Sequence, residues 1–284
     1  MSFRKGDAIH IGLVVDGTVV DVTALRPDLS DMVDVIAVGP GVLTEIANQA
    51  ESAPKVGLME VRLQAPLRPR KNVFAVGRNY LEHVREVPGP DAATRPPPDQ
   101  PIIFTKPPTS IIGPGEAIDT RNDPTGTTDY EGELAVVIGK VGKRLSPEEA
   151  WDHVFGYTIV NDVTARAMQR RHAQWVMGKG PDTFCPMGPW IVTSDEIADV
   201  TRLEVRTTVN GEPRQRGSLA DLIFDIPTLI ATLSSVLTLE PGDVIATGTP
   251  SGVGAGFDPP RFLRAGDEVS VTIDHIGTLT NPVI

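Results

Sequence analysis

The segment Asp129-Tyr130-Glu131-Gly132-Glu133 runs without a break into Leu134-Ala135-Val136-Val137-Ile138, and this junction constrains the fold more than any other stretch. The apolar half is short, β-branched and closed by Gly139, the pattern of a strand buried on both faces. Side chains two apart on a strand share a face, so Glu131 and Glu133 project together at the mouth of a strand entering a core. Two like charges there repel, and each resists leaving water. The residues leave three resolutions open: a solvated strand end, a shared proton or a bound cation. A hard divalent ion with oxygen ligands would require a third carboxylate. Asp162 is the candidate, because Val154–Val160 reads as a second buried strand that delivers it at the C-terminal end. Asp162 is equally placed to cap a helix predicted over Thr164–His172.

The rest of the chain reads as short strands and tight turns, consistent with 27 glycines and 26 prolines in 284 residues. Alternating apolar residues on either side of Asp16-Gly17 predict a hairpin, with His10 on its wet face and without a site role. A helix over Val42–Ala50 and a strand over Val56–Leu63 complete a small α+β domain, residues 1–68. Pro66–Lys71 reads as a linker to a larger domain, residues 69–284. There Asn72–Val76 is a strand, and Ser146-Pro147-Glu148-Glu149 starts a helix with serine as cap. Val205–Val209 and Asn210-Gly211 form a hairpin, Ile226–Leu237 a helix, and two strands close the chain. The fold class is α+β, mainly β.

Candidate chemistry lies in the larger domain. His83 and Glu86 are three apart on a predicted helix, on one face and able to hydrogen-bond, although a surface pair would look the same. A Pro/Gly/Asp tract through Asp99 follows, so a lid is expected over residues 84–99. The loop Gln174–Pro189 interleaves turn formers with Trp175, Met177, Phe184 and Met187, and is expected to pack inward around a site. Lys179 within it is a candidate anion contact or a solvated lysine, and Cys185 packs as a small hydrophobe. Gly248–Gly254 invites a phosphate-loop reading, but no Gly-Lys-Ser/Thr follows and no helix starts there. A loop whose backbone approaches a carboxylate fits better.

A formal net charge of -11 argues against nucleic acid as a partner. No apolar run approaches the ~20 residues that cross a bilayer, so no membrane association is expected. The N-terminal residues carry no apolar signal core, and with one cysteine the expected location is cytoplasmic.

Several motifs in order resemble the fumarylacetoacetate hydrolase family over residues 70–284. They are Gly77-Arg78-Asn79-Tyr80 with His83 and Glu86, Asp129–Leu134, Asn161–Arg166, Lys179 with Asp182–Pro189, and Thr247–Gly254. One departure is Gly180-Pro181, where many members carry Ser-Phe, and this leaves the path of the Lys179 loop open. The resemblance implies a mixed β-roll or incomplete barrel, a homodimer, and Mg²⁺ or Mn²⁺ held by Glu131, Glu133 and Asp162. It implies a small 2-oxo acid substrate, with His83 oriented by Glu86 as general base and Lys179 stabilising oxygen charge. Arg78, Gln174 and Thr249 are the expected substrate contacts. The expected reaction is C–C hydrolysis of an acylpyruvate-type diketo acid. Oxaloacetate decarboxylation, or decarboxylation or isomerisation of unsaturated 2-oxo dicarboxylates, is the alternative. A non-catalytic metal-binding scaffold is the alternative of another class.

Overall fold

The computed structural model describes residues 1–15, 17–39, 41–50, 53–86 and 92–284. The acidic strand, Gly132–Ile138, is buried at every position. It lies at the centre of a mixed seven-stranded sheet that curls into half a barrel. The order across that sheet is Ile102–Lys106, Val73–Gly77, Val244–Ala246, Gly132–Ile138, Val154–Asn161, Cys185–Thr193, Ile111–Ile112. Alternate residues of the acidic strand feed two cores. Leu134, Val136 and Ile138 pack with the helix Ile226–Val236 and a four-stranded antiparallel sheet, whereas Ala135 and Val137 pack with the N-terminal region. A continuous apolar run is thus required by burial on both faces.

The four-stranded sheet follows the expected hairpin chemistry. Glu204–Val209 pairs with Glu212–Ser218 across Asn210 and Gly211, both at positive φ, as a two-residue turn of this hand demands. Ser146 caps Pro147–Ala150 with the reciprocal Glu149 contact, and Asp225 caps Ile226–Val236.

The N-terminal residues build a five-stranded antiparallel sheet in the order Lys55–Gly57, Thr18–Asp21, Ala8–Val15, Ser2–Lys5, Arg62–Gln64. The expected hairpin pairs Val15 with Thr18, while Asp16 lies outside the described residues. Two expectations change here. The strand over Val56–Leu63 is broken by a 3₁₀ turn at Leu58–Glu60, which leaves Met59 96% exposed. His10 is half-buried rather than wet: its Nδ1 lies 3.1 Å from the buried Asp21 carboxylate, and its ring packs against Phe3. The segment Pro66–Lys71 is packed, with Leu67 buried in a cluster that also holds Ala135 and Val137. Among the described residues no helix is long and apolar enough to cross a membrane.

Close approach of backbones sets the sheet's curl at Gly156. A Cβ there would lie 2.2 Å from the Val192 carbonyl oxygen and 3.0 Å from Thr193 Cα, with no flexible side chain to yield. Gly156→Ala is expected to destabilise the protein by about 1–3 kcal/mol. The urea midpoint should fall at unchanged m-value, and an unshifted midpoint would show that the two strands can separate without cost.

Candidate active site

The register of the acidic strand against its neighbour assembles the acidic cluster. Gly132 pairs with Asn161 and Glu133 with Val160, and Asp162 N–H donates to the Glu131 carbonyl at 2.8 Å. Asp162 therefore lies beside Glu131, and Asn161 Oδ1 accepts from the Glu131 N–H at 3.0 Å. Gly132 between the glutamates faces the other way, where a Cβ would lie 2.3 Å from Thr207 Oγ1. Glu131, Glu133 and Asp162 are all buried and offer ligand oxygens within 4.8 Å of one another. Asp162 caps no helix: Thr164-Ala165 forms a bridge with Thr128-Asp129, and the helix begins at Arg166.

Cations surround the acids. Lys179 Nζ lies 2.6 Å from Glu131 Oε2 and 2.5 Å from Asp162 Oδ2. Arg166 bridges Glu131 Oε1 at 2.6 Å and Asp129 Oδ2 at 2.8 Å. Fully buried Lys106 stands 2.7 Å from Asp162 Oδ1, off the direction of a hydrogen bond, and that oxygen has no hydrogen-bond donor among the described residues. Lys106 also donates to the carbonyls of Lys179 and Val163. Burial alone would raise the pKa of Glu131, but the charges of Arg166 and then Lys179 outweigh it and hold the carboxyl well below its usual range. Burial, with the charges of Asp162 and Glu131, pushes Glu133 well above its usual range, although Gly248 N–H donates to it at 2.8 Å. The cluster thus holds more negative charge than its cations offset. An all-oxygen set with one under-bonded carboxylate oxygen and one carboxyl driven toward protonation fits a hard divalent cation.

His83 is buried beside this cluster, its Nδ1 2.7 Å from Glu86 Oε1. A carboxylate only accepts, so Nδ1 carries the proton and Nε2 is left free for chemistry. Glu86 is itself fixed by the N–H of Gly252 at 2.7 Å, and a Cβ at Gly256 would lie 2.5 Å from its Oε2. The glycine-rich turn approaches carboxylates through its backbone, as expected. Gly248 reaches Glu133, Gly252 reaches Glu86, and Gly254 and Ala255 reach Asp129.

One cavity of about 480 Å³ joins these groups; His83, Glu131, Glu133, Lys179, Arg78 and Thr249 all line it. Gln174 does not. It is exposed on its turn, and the neighbouring Trp175 lines the cavity, its ring 5.3 Å from that of Phe104. Met177 also points outward, at 50% exposure. The Gly180-Pro181 departure leaves the lysine in place: the helix Val176–Lys179 ends at Gly180, where a Cβ would lie 2.8 Å from the Val176 carbonyl and 2.9 Å from Pro107. Burial pushes the Cys185 thiol up to about 12, so it packs as a hydrophobe. Of the expected lid, residues 87–91 lie outside the described residues, while Arg95 beyond them lines the cavity. The sequence reading assigned no role to Lys106, Arg166 or Asp129. Arg166 and Asp129 stood within recognised motifs, whereas nothing local marked Lys106 as buried.

A curled sheet that brings Glu131 and Glu133 of a three-carboxylate cluster, and a histidine held by Glu86, to one cavity defines an enzyme-type site. Residues 72–284 match the family described as fumarylacetoacetate (FAA) hydrolase C-terminal. Oxaloacetate tautomerase YisK of Bacillus subtilis (strain 168) is 46% identical over 304 aligned residues, spanning 100% of both chains. Fumarylacetoacetate hydrolase from the psychrophilic Exiguobacterium antarcticum has a solved structure similar at TM-score 0.87 and 43% identity, covering 99% of this chain and 97% of that one. Maleylpyruvate hydrolase from Sphingobium sp. SYK-6, solved with manganese(II) and pyruvate, is similar at TM-score 0.80 and 32% identity, covering 100% and 99%. The chain belongs to the fumarylacetoacetate hydrolase family.

The buried charges predict how the site responds to losing one cation. In chelator, Lys179→Met is expected to lower unfolding free energy by about 1.5–3 kcal/mol, because it removes one of the two cations that face Glu131 and one of the two that face Asp162. Added Mn²⁺ should restore part of that loss in chemical denaturation. Equal loss with and without Mn²⁺ would exclude the carboxylates as its ligands.

Proposed function

We propose that the protein catalyses keto–enol chemistry on a small 2-oxo acid, with oxaloacetate tautomerisation as the specific reaction. The observation that carries this reading is the shared cavity: an acidic cluster suited to a divalent ion and a histidine with one free ring nitrogen open onto the same space. The full-length likeness to a relative named for oxaloacetate supports the choice of substrate.

Glu131, Glu133 and Asp162 would hold Mg²⁺ or Mn²⁺, which supplies a Lewis acid for the substrate's carboxylate and 2-oxo oxygens. His83 Nε2 exchanges the proton at C3, and Glu86 stabilises the imidazolium that forms when the ring takes it. As the C3–H bond breaks, its electron pair forms the C2–C3 double bond and negative charge moves to the 2-oxo oxygen. In this scheme Lys179 and Arg166, both lining the cavity, stabilise that charge. Arg166 lines the cavity, and its Nη2 is a buried donor with no hydrogen-bond partner among the described residues. Thr249 Oγ1 is tied to the Gly132 carbonyl at 3.0 Å and shapes the wall.

A second reading, C–C hydrolysis of an acylpyruvate, is favoured by the cavity's size. Its volume of about 480 Å³ lies within the range of sites that enclose drug-sized ligands, leaving room beyond a four-carbon acid. His83 would then deprotonate water instead of C3. A metal-binding scaffold would have no need of the ordered His83–Glu86 pair.

Enol oxaloacetate should interconvert with its keto form at a catalysed rate in Mg²⁺ or Mn²⁺, and chelator should abolish the effect. Glu131→Gln should remove metal-dependent turnover while leaving the far-UV spectrum unchanged. His83→Ala should lower kcat by about 10²–10⁴-fold. Cleavage of acylpyruvates with no effect on oxaloacetate would select the second reading, and full activity in chelator would refute both.

A further inference from the structure

The cavity carries positive charge that the acidic cluster does not use. Arg166 and Lys179 are committed to Glu131, Asp129 and Asp162. Arg78 has no acidic partner among the described residues, although the chain has 37 acidic against 26 basic residues. Elsewhere in the molecule Arg26, Arg121, Arg206, Arg216 and Arg261 each hold a carboxylate. The charge that acts on Arg78 is instead a like one: burial, then the positive charge of Arg95, lowers its pKa. Arg78, held near a second guanidinium in a cavity and with no acid of its own among the described residues, is a group that an anion relieves.

Backbone geometry keeps both in place. Arg78 directly follows the strand Val73–Gly77 and sits at φ +58, a left-handed conformation that a non-glycine residue holds only when its surroundings enforce it. Arg95 Nη1 donates to the Val84 carbonyl at 3.1 Å, which fastens its side chain to the helix carrying His83. Both side chains line the cavity that also holds Glu131, Glu133 and Lys179.

We propose that Arg78 and Arg95 form a subsite for the second carboxylate of a dicarboxylic 2-oxo acid, so that the protein selects dianions over monoanions. The assignment rests on the reading of this cavity as a 2-oxo acid site. One carboxylate, with the 2-oxo oxygen, belongs beside the acidic cluster and its cation; the other pairs with the two guanidiniums. Arg78 and Arg95 are binding residues in this scheme and move no proton.

The test compares oxaloacetate with its 4-methyl ester, which keeps the 2-oxo acid end and loses the distal charge, on the Mn²⁺-loaded full chain. Arg78→Asn removes the charge while tolerating the left-handed backbone, and Arg78→Lys keeps the charge. Arg95→Gln tests the partner. For Arg78→Asn the KM for oxaloacetate is expected to rise about 10–100-fold, the loss of one charge-assisted pair. The KM for the ester should rise far less, and Arg78→Lys should recover part of the difference. Thermal stabilisation of the Mn²⁺-loaded protein by each compound gives a readout independent of turnover. If wild type turns over neither compound but oxaloacetate stabilises it more than the ester, and Arg78→Asn erases that difference, the subsite stands and the proposed reaction falls. Equal losses for both compounds, or a wild type indifferent to the distal charge, would overturn the subsite.

Discussion

Four carboxylates buried at one end of the central sheet, Asp129, Glu131, Glu133 and Asp162, set the terms for everything around them. Lys106, Lys179 and Arg166 are the cations that face them. With every group ionised the cluster keeps one net negative charge, which burial pushes onto Glu133 as a proton. A divalent cation would displace that proton and leave the cluster with one net positive charge. A substrate carboxylate restores neutrality. On charge alone, a cation bound there would favour the anionic acid, because it would turn a cluster made neutral by its proton into a positive one.

The glycine-rich turn after Val244–Ala246 couples this cluster to the base. Its amides donate to Glu133, to Glu86 and to Asp129. One loop therefore orients a candidate metal ligand, the carboxylate that fixes the His83 tautomer and the partner of Arg166. Its glycines are required by contact as well as by turn geometry: a Cβ at Gly254 would lie 2.6 Å from Asp129 Oδ1. Displacement of the turn would move all three carboxylates together, so base orientation and cation binding are mechanically linked.

The elements were legible where local chemistry decides them. The buried run at Leu134–Ile138, the Asn210-Gly211 turn and the Ser146 cap each carry their own signal in a few residues. His83 and Glu86 needed only helical spacing. What local pattern left open or got wrong shares a cause in long-range packing. Whether Glu131 meets Asp162 depends on strand register, which periodicity does not encode. His10 is drawn inward because Asp21, buried by another strand, needs a partner. Gln174 and Trp175 sit on adjacent turn positions, and only packing against Phe104 decides which of them faces the cavity. Lys106 ends the strand Ile102–Lys106, and only the assembled fold encloses it.

Family membership leaves the reaction open because the shared parts act on the shared part of the substrate. On the proposed reading, the three carboxylates, Lys179 and the His83–Glu86 pair would address the 2-oxo acid end, and proton exchange at C3 or activation of water would both begin there. Which one follows depends on whether the ring nitrogen meets a C–H or a water, and that is set by what occupies the rest of the cavity. A short dianion pinned at its far end would hold C3 against His83 and exclude water. A longer acyl chain would carry its carbonyl into that position and admit one. On that reading the reaction would be decided by charge and room along the cavity wall, which Arg78 and Trp175 line, more than by the acidic cluster that first draws attention in the sequence.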